Sequence, residues 1–229
     1  MPETRRLLEA AAALSQALRA NGVPHAFHGT LFTAIVANSP QADEIFCIVE
    51  GGSTHPFRRV RQAVAGKQDI TITASPWSNR LHAKYHRCIP PIEIEILPAG
   101  EAGPRRLDAL TVIVMSGVPF LSISEFVRAK LKTWLIRGSE RDGQDIVYFV
   151  SRYWNSIDMN RIPEHDMSQF IESYGAAASG WAALKRKYGI ATDGPGKFND
   201  LGPARSSGMR NGVPSSIASL ILALSILLT

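Results

Sequence analysis

The stretch PPIEIEIL, residues 90–97, decides what kind of sheet this chain builds. Successive side chains on a strand point to opposite faces. Ile92, Ile94 and Ile96 therefore line one face, and Glu93 and Glu95 line the other. The aliphatic face can pack on a core. The acidic face must meet water, a cation or a basic partner, because an unpaired buried carboxylate is very costly. Two readings follow: an exposed strand face, or metal-binding carboxylates at a cleft.

Upstream, residues 3–21 read as an amphipathic helix. A Gly-Val-Pro turn leads into a short strand within 22–29, and 30–38 is a short apolar helix. EIFCIVE, 44–50, is a strong strand closed by Gly51–Gly52. Ser53 or Thr54 can cap the helix that follows, with Pro56 in its first turn. Strands are expected at 69–74, 82–87 and 92–97. No helix separates them, so they pair antiparallel and make the sheet mixed rather than doubly wound.

Downstream, Ser122 and Glu125 form a capping box for a helix whose buried stripe is Val127, Leu131, Trp134 and Leu135. Residues 141–154 carry Ile146, Phe149, Val150 and Tyr153 at helical spacing. Two more helices are expected near 163–174 and 177–188. The fold class is α/β (α+β): a mixed sheet flanked by helices, with a helical C-terminal half. The expected division is an α/β core over 1–120, a helical part of the same unit over 121–190, and a linker with a short apolar tail over 191–229. That tail, SSIASLILALSILLT at 215–229, falls short of the roughly 20 residues a spanning helix needs.

The 229 residues include 25 basic and 20 acidic side chains, a net charge of +5 that is compatible with phosphate ligands. Cys47 and Cys88, the two cysteines, sit in apolar or strand-like contexts and read as reduced packing residues of a cytoplasmic protein. No signal peptide is evident at the N-terminus. His82, His86 and Cys88 make a weak zinc motif, because residues four apart on a strand are roughly 13 Å apart. Arg58, Arg59, Arg61 and Lys67 could face a nucleic acid, but a solvated helix face explains them equally well. Gly51–Thr54 could hold a phosphate, though a plain strand-to-helix turn reads as well.

The order of these elements resembles the nucleotidyltransferase superfamily with the polymerase-beta-like fold. Its closest look is to the small stand-alone nucleotidyltransferase-like proteins of fungi. The resemblance spans roughly residues 8–155 and is most specific in SEFVRAKLKTWLIRGSERDGQDI, 124–146. It implies transfer of a nucleotidyl group from a nucleoside triphosphate, with Mg2+ held by strand carboxylates. The family's Gly-Gly turn falls on His28–Gly29–Thr30, which the resemblance places against the nucleotide. The first metal acid falls on Glu44 and the third on Glu95, whereas Phe46 replaces the second. Gln41 stands where an arginine is usual. Lys130 matches the helix lysine that approaches phosphates, and Asp142 and Asp145 match the pair that orients it. Catalytic roles would thus fall to Glu44, Glu95 and Lys130, and metal ligation to Glu44 and Glu95.

Phe46 changes that expectation, since a phenyl ring cannot ligate magnesium. Weakened or lost transfer is therefore expected. The alternative is a non-catalytic nucleotide-binding or protein-interaction module on the same fold. The residues also admit a plain reading, with Glu44 and Glu95 as solvated acids, Lys130 as a helix-surface lysine and Asp142 as a helix N-terminal charge. The acceptor is not legible. Neither nucleic acid nor membrane is favoured as a partner, the apolar tail apart.

Overall fold

The computed structural model describes residues 3–75, 80–101 and 103–191. Helix α1 (Glu3–Ala20) leads to strand β1 (His25–His28), helix α2 (Thr30–Val36), strand β2 (Phe46–Val49) and helix α3 (Pro56–Val64). Strands β3 (Ile70–Ala74), β4 (Leu81–Tyr85) and β5 (Ile92–Pro98) follow, then the hairpin β6 (Val112–Met115) and β7 (Val118–Leu121). The rest is helical: α4 (Ile123–Arg137), α5 (Glu140–Tyr153), α6 (Glu164–Ser173) and α7 (Ala178–Lys187), with short 3-10 turns between.

The strands form one mixed sheet of seven, in the order β3-β4-β5-β2-β1-β7-β6. The β3-β4-β5 run pairs antiparallel as its short connections require, whereas β5 joins β2, and β1 joins β7, in parallel. The isoleucine face of β5 is buried, with Glu93 exposed and Glu95 half-exposed on the other side. Helices α1 and α3 cover the isoleucine face. On that side the Tyr85 hydroxyl donates to Glu9 of α1 at 2.9 Å, and His25 reaches Ser15 at 2.8 Å.

Register aligns one polar row across the uncovered face. Thr73 of β3 pairs with His82, His82 with Glu95, Glu95 with Phe46, and Phe46 with His28. The adjacent row runs Thr71, Lys84 and Glu93. Paired residues of neighbouring strands share a face, so the acids of β5 open onto the same side as Phe46 and His28.

Phenylalanines tie the C-terminal helices to the sheet. Phe32 of α2 stacks on Phe149 of α5 at 5.3 Å and meets Phe126 of α4 at 4.7 Å and Phe120 of β7 at 5.8 Å. All four rings are fully buried, and residues of both halves enter one hydrophobic cluster. Truncating a buried ring of this kind costs about 3–5 kcal/mol.

Several boundaries differ from expectation. Strand β2 begins at Phe46, so Glu44 precedes it in an extended approach. His55, not Ser53 or Thr54, caps α3: its side chain accepts from the Phe57 amide. The Ser122 hydroxyl accepts from the Glu125 amide, but Glu125 turns to Arg161 rather than back to Ser122. The β6–β7 hairpin was not foreseen. It turns at Ser116–Gly117, both at positive φ, as a two-residue hairpin loop requires. The expected linker and tail lie outside the described residues, except for Ala191. Among the described residues no helix is long and apolar enough to cross a membrane.

Candidate functional site

The uncovered sheet face and the α4–α5 corner enclose a cleft of about 330 Å³. Its floor comes from the sheet. The His28 and Phe46 rings stack at 5.1 Å, and Leu97 of β5 lies on the same side. Its wall comes from α4 through Ala129, Lys130, Thr133 and Ile136, and from the start of α5. Ile136 is 72% exposed, a large apolar side chain left facing solvent at the cleft.

Gly29 is the tight point where β1 meets α2. Its φ is +102°, and a Cβ there would lie 2.9 Å from the Phe46 ring and 3.0 Å from the Glu44 carbonyl. Only glycine adopts that conformation and leaves Phe46 room.

Thr30 does not face the cleft. It is buried, its hydroxyl donates to Asp43 at 2.9 Å, and it accepts from the amides of Asp43 and Glu44 at 3.1 and 2.9 Å. The Leu31 amide is also taken, by the Glu44 carbonyl at 3.2 Å. These bonds hold the Asp43–Glu44 approach to β2. Asp43 then makes a two-pronged pair with Arg141 at the start of α5, with both contacts 2.7 Å. The Arg141 guanidinium bonded to Asp43 holds that carboxyl below its usual range.

Lys130 is buried, with Nζ 2.6 Å from Asp142 and 2.9 Å from Asp145. It also lies 5.6 Å over the Phe126 ring. Burial alone would lower its pKa, but the two carboxylates outweigh burial and raise it. Removing one partner of a buried pair of this kind typically costs about 3–5 kcal/mol. Asp142 lines the cleft, whereas Asp145 lies buried against Lys130 and is not among the lining residues. His28 Nε2 is shut off from solvent without a hydrogen-bond partner. Burial, reinforced by the charge of Lys130, pushes the His28 pKa down to about 3.

Glu95 is bound by Arg80, which precedes β4 and reaches across from beside the Phe46 row. Glu93 meets His82 at 2.8 Å, and Lys84 stands 4.0 Å away. The acidic face of β5 is therefore engaged by Arg80, His82 and Lys84. His86 turns to Thr71 at 2.8 Å, and Cys88 is a buried free thiol, so the weak zinc motif does not converge. Arg59 donates to the carbonyls of Gly22, Glu50 and Gly51, which removes it from a basic helix face.

The residues do not fit the expected magnesium centre. Phe46 pairs directly with Glu95 across β2 and β5, and Glu95 is occupied by Arg80. Among the described residues no group of three or more His, Cys, Asp or Glu side chains could hold a metal ion. Magnesium requires near-octahedral hard oxygen ligands, and a phenyl ring and a guanidinium supply none.

The strongest features missed in the sequence are Arg80, Lys132 and Arg137, together with the bridging role of Arg141. Arg80 was hidden because the strand reading began at His82, beyond it. Arg137 carries a weak signal, seven positions from Lys130 on one helix, whereas Lys132, two positions away, carries none.

No family model and no curated protein matches this sequence. Among solved structures, the chain is similar to an antigenic nucleotidyltransferase-like protein from Paracoccidioides brasiliensis. The identity is 16%, the match covers 78% of this chain and 87% of that one, and the TM-score is 0.45. A putative nucleotidyltransferase from H. pylori is 15% identical over 80% of this chain and 81% of that one, with a TM-score of 0.47. The antibiotic-resistance factor ANT(2'')-Ia is 11% identical over 82% of this chain and 95% of that one, with a TM-score of 0.41.

Proposed function

We propose that this is a nucleotidyltransferase-like protein whose cleft binds a nucleoside triphosphate and whose transfer chemistry is weakened or lost. One observation carries the reading: a cationic rim surrounds an aromatic and aliphatic floor. Five cationic side chains line the cleft: Arg80, Lys130 and Arg141, which are paired with Glu95, with Asp142 and Asp145, and with Asp43, and the rim residues Lys132 and Arg137. A ligand that is flat and apolar at one end and polyanionic at the other matches both surfaces. Ile136, Leu97 and Phe46 offer the apolar contact, and Lys132 and Arg137 present positive charge at the rim to phosphates.

The weakened chemistry follows from Phe46 and from the Arg80–Glu95 pair. Nucleotidyl transfer depends on concentrated positive charge around the transferred phosphoryl group, held by carboxylate-bound metal in the two-metal scheme. Here one acid is a phenyl ring and another already carries a guanidinium.

The test is equilibrium titration of the chain with ATP, CTP, GTP and UTP, with adenosine as the uncharged comparison. The expected result is triphosphate binding that adenosine does not reproduce and that weakens as salt screens the rim. Reversing two rim charges, with Lys132→Glu and Arg137→Glu, should lower triphosphate affinity by about tenfold or more. Equal affinity for adenosine and ATP, or indifference to the double reversal, would remove the reading.

A further inference from the structure

We propose that the groove between the 100–108 loop and the start of α4 is a second anion site, suited to a phosphate-bearing ligand and separate from the nucleotide cleft.

The groove encloses about 450 Å³ and shares no lining residue with the cleft. Four guanidiniums from three elements line it. Arg105 and Arg106 come from the loop, Arg128 from α4, and Arg161 from the 3-10 turn Met159–Arg161. Glu125 ties two of them together. Its side chain is 1% exposed, with Oε1 2.6 Å from Arg161 Nη1 and Oε2 2.8 Å from Arg128 Nη2. Arg161 Nε also reaches Asp158 at 3.3 Å. Charge-assisted contacts to a buried carboxylate fix both guanidiniums in place. Nε and Nη1 of Arg128 and Nη2 of Arg161 take no part in these contacts and remain as donors.

Pairing decides the charge. Arg128 and Arg161 answer Glu125 and Asp158, so those four groups cancel. Arg105 and Arg106 are different. Both are exposed, and among the described residues neither has an ion-pair partner. Asp108 is the other acid of the lining, and its Oδ1 accepts from the amides of Leu110 and Thr111 at 2.9 and 3.1 Å. Four cations thus face three acids, and two of the cations are unpaired.

The backbone that carries the unpaired arginines is pinned. The Gly100 amide donates to the Pro104 carbonyl at 3.0 Å, and the Thr111 hydroxyl donates to the Arg106 carbonyl at 3.0 Å. The Leu107 amide donates at 2.8 Å to Glu50, which lies outside the groove lining. Guanidiniums on a pinned segment lose less freedom on binding than those on a loose one. The spread of donors selects the ligand. A carboxylate offers two oxygens in one plane. A phosphate group offers oxygens in several directions and can accept from guanidiniums that arrive from different elements.

The experiment is calorimetric titration of the full chain carrying Lys132→Glu and Arg137→Glu, with inorganic tripolyphosphate as the probe. Those reversals weaken the cleft, so the heat reports the groove. Binding should persist, and adding Arg105→Gln and Arg106→Gln should weaken it about tenfold or more. Adding Arg58→Gln and Arg61→Gln instead removes two exposed arginines of α3 and should leave the affinity unchanged. A glutamate oligomer of the same charge should bind more weakly than tripolyphosphate. No binding to the reversed chain, an equal loss from the α3 pair, or equal affinity for the glutamate oligomer would overturn the inference. Displacement by a uridine oligonucleotide would assign the site to strand phosphates, and failure to displace would assign it to a small phosphorylated ligand. ATP titration of the Arg105→Gln, Arg106→Gln chain reads the nucleotide cleft on its own, so each site can fail without the other.

Discussion

Phe46 and the neighbouring His28 show how single residues set the character of the cleft. The phenyl ring stacks on His28 and lies opposite Glu95 in the strand register. It turns what would be an acidic floor into an aromatic one. His28 gains a neighbour at the cost of hydration: burial pushes it down to about 3, and His25, buried against Ser15 and the Val23 carbonyl, is pushed down to about 4. Both folded pKa values lie below the ordinary 6.5, so the unfolded chain binds more protons as pH falls. The stability from keeping these rings neutral is complete above pH 6.5 and is lost as pH drops through the window from 6.5 toward 4 and 3. The slope approaches about 1.4 kcal/mol per pH unit for each histidine. Urea unfolding across that window should show the loss, and His25→Gln should flatten part of it. Asp43, held low by Arg141, acts below 3.8 and so outside most of this range. Stability that stays level from pH 6.5 to pH 4 would contradict the burial of neutral histidines.

At the scale of elements, the helices are fixed by close approaches that alternation and periodicity cannot reveal. Gly180 of α7 lies against α5, where an added Cβ would stand 2.2 Å from the Val150 carbonyl oxygen. Gly180→Ala must therefore push α7 away from α5, and the expected loss is about 1–3 kcal/mol in thermal or urea unfolding. A variant as stable as the native chain would show that the two helices are not held so closely. The sequence made some elements legible and hid others for physical reasons. The period of two in IEIEIL gave the buried and open faces of β5, because strand geometry leaves no other assignment. The stripe Val127, Leu131, Trp134 and Leu135 gave the inward side of α4. The β6–β7 hairpin was hidden because its strands are four residues each and its Ser-Gly turn is a weaker signal than Asn-Gly. Arg80 was hidden because its importance lies in a contact fifteen residues away along the chain. Thr30 was misjudged because a helix-start hydroxyl near a glycine suits a phosphate as well as it suits a loop, and only the bonds to Asp43 and Glu44 decide.

At the scale of the whole molecule, two surfaces meet at an angle. The sheet presents its polar row with Phe46 and His28, and α4 with α5 presents Lys130, Lys132, Arg137 and Arg141. The Asp43–Arg141 pair bridges them, and the phenylalanine cluster packs α2 against α4 and α5. This arrangement places the basic side chains of α4 and α5 opposite an aromatic floor. The cleft is the proposed nucleotide site. Amide hydrogen exchange of the full chain, with and without saturating ATP, checks this. Slower exchange is expected in the segments around His28–Gly29, Glu44–Cys47, Glu95–Leu97 and Ala129–Asp142, with α6 and α7 unchanged. Protection confined to α6, α7 or α3, or no protection with ATP bound, would contradict it.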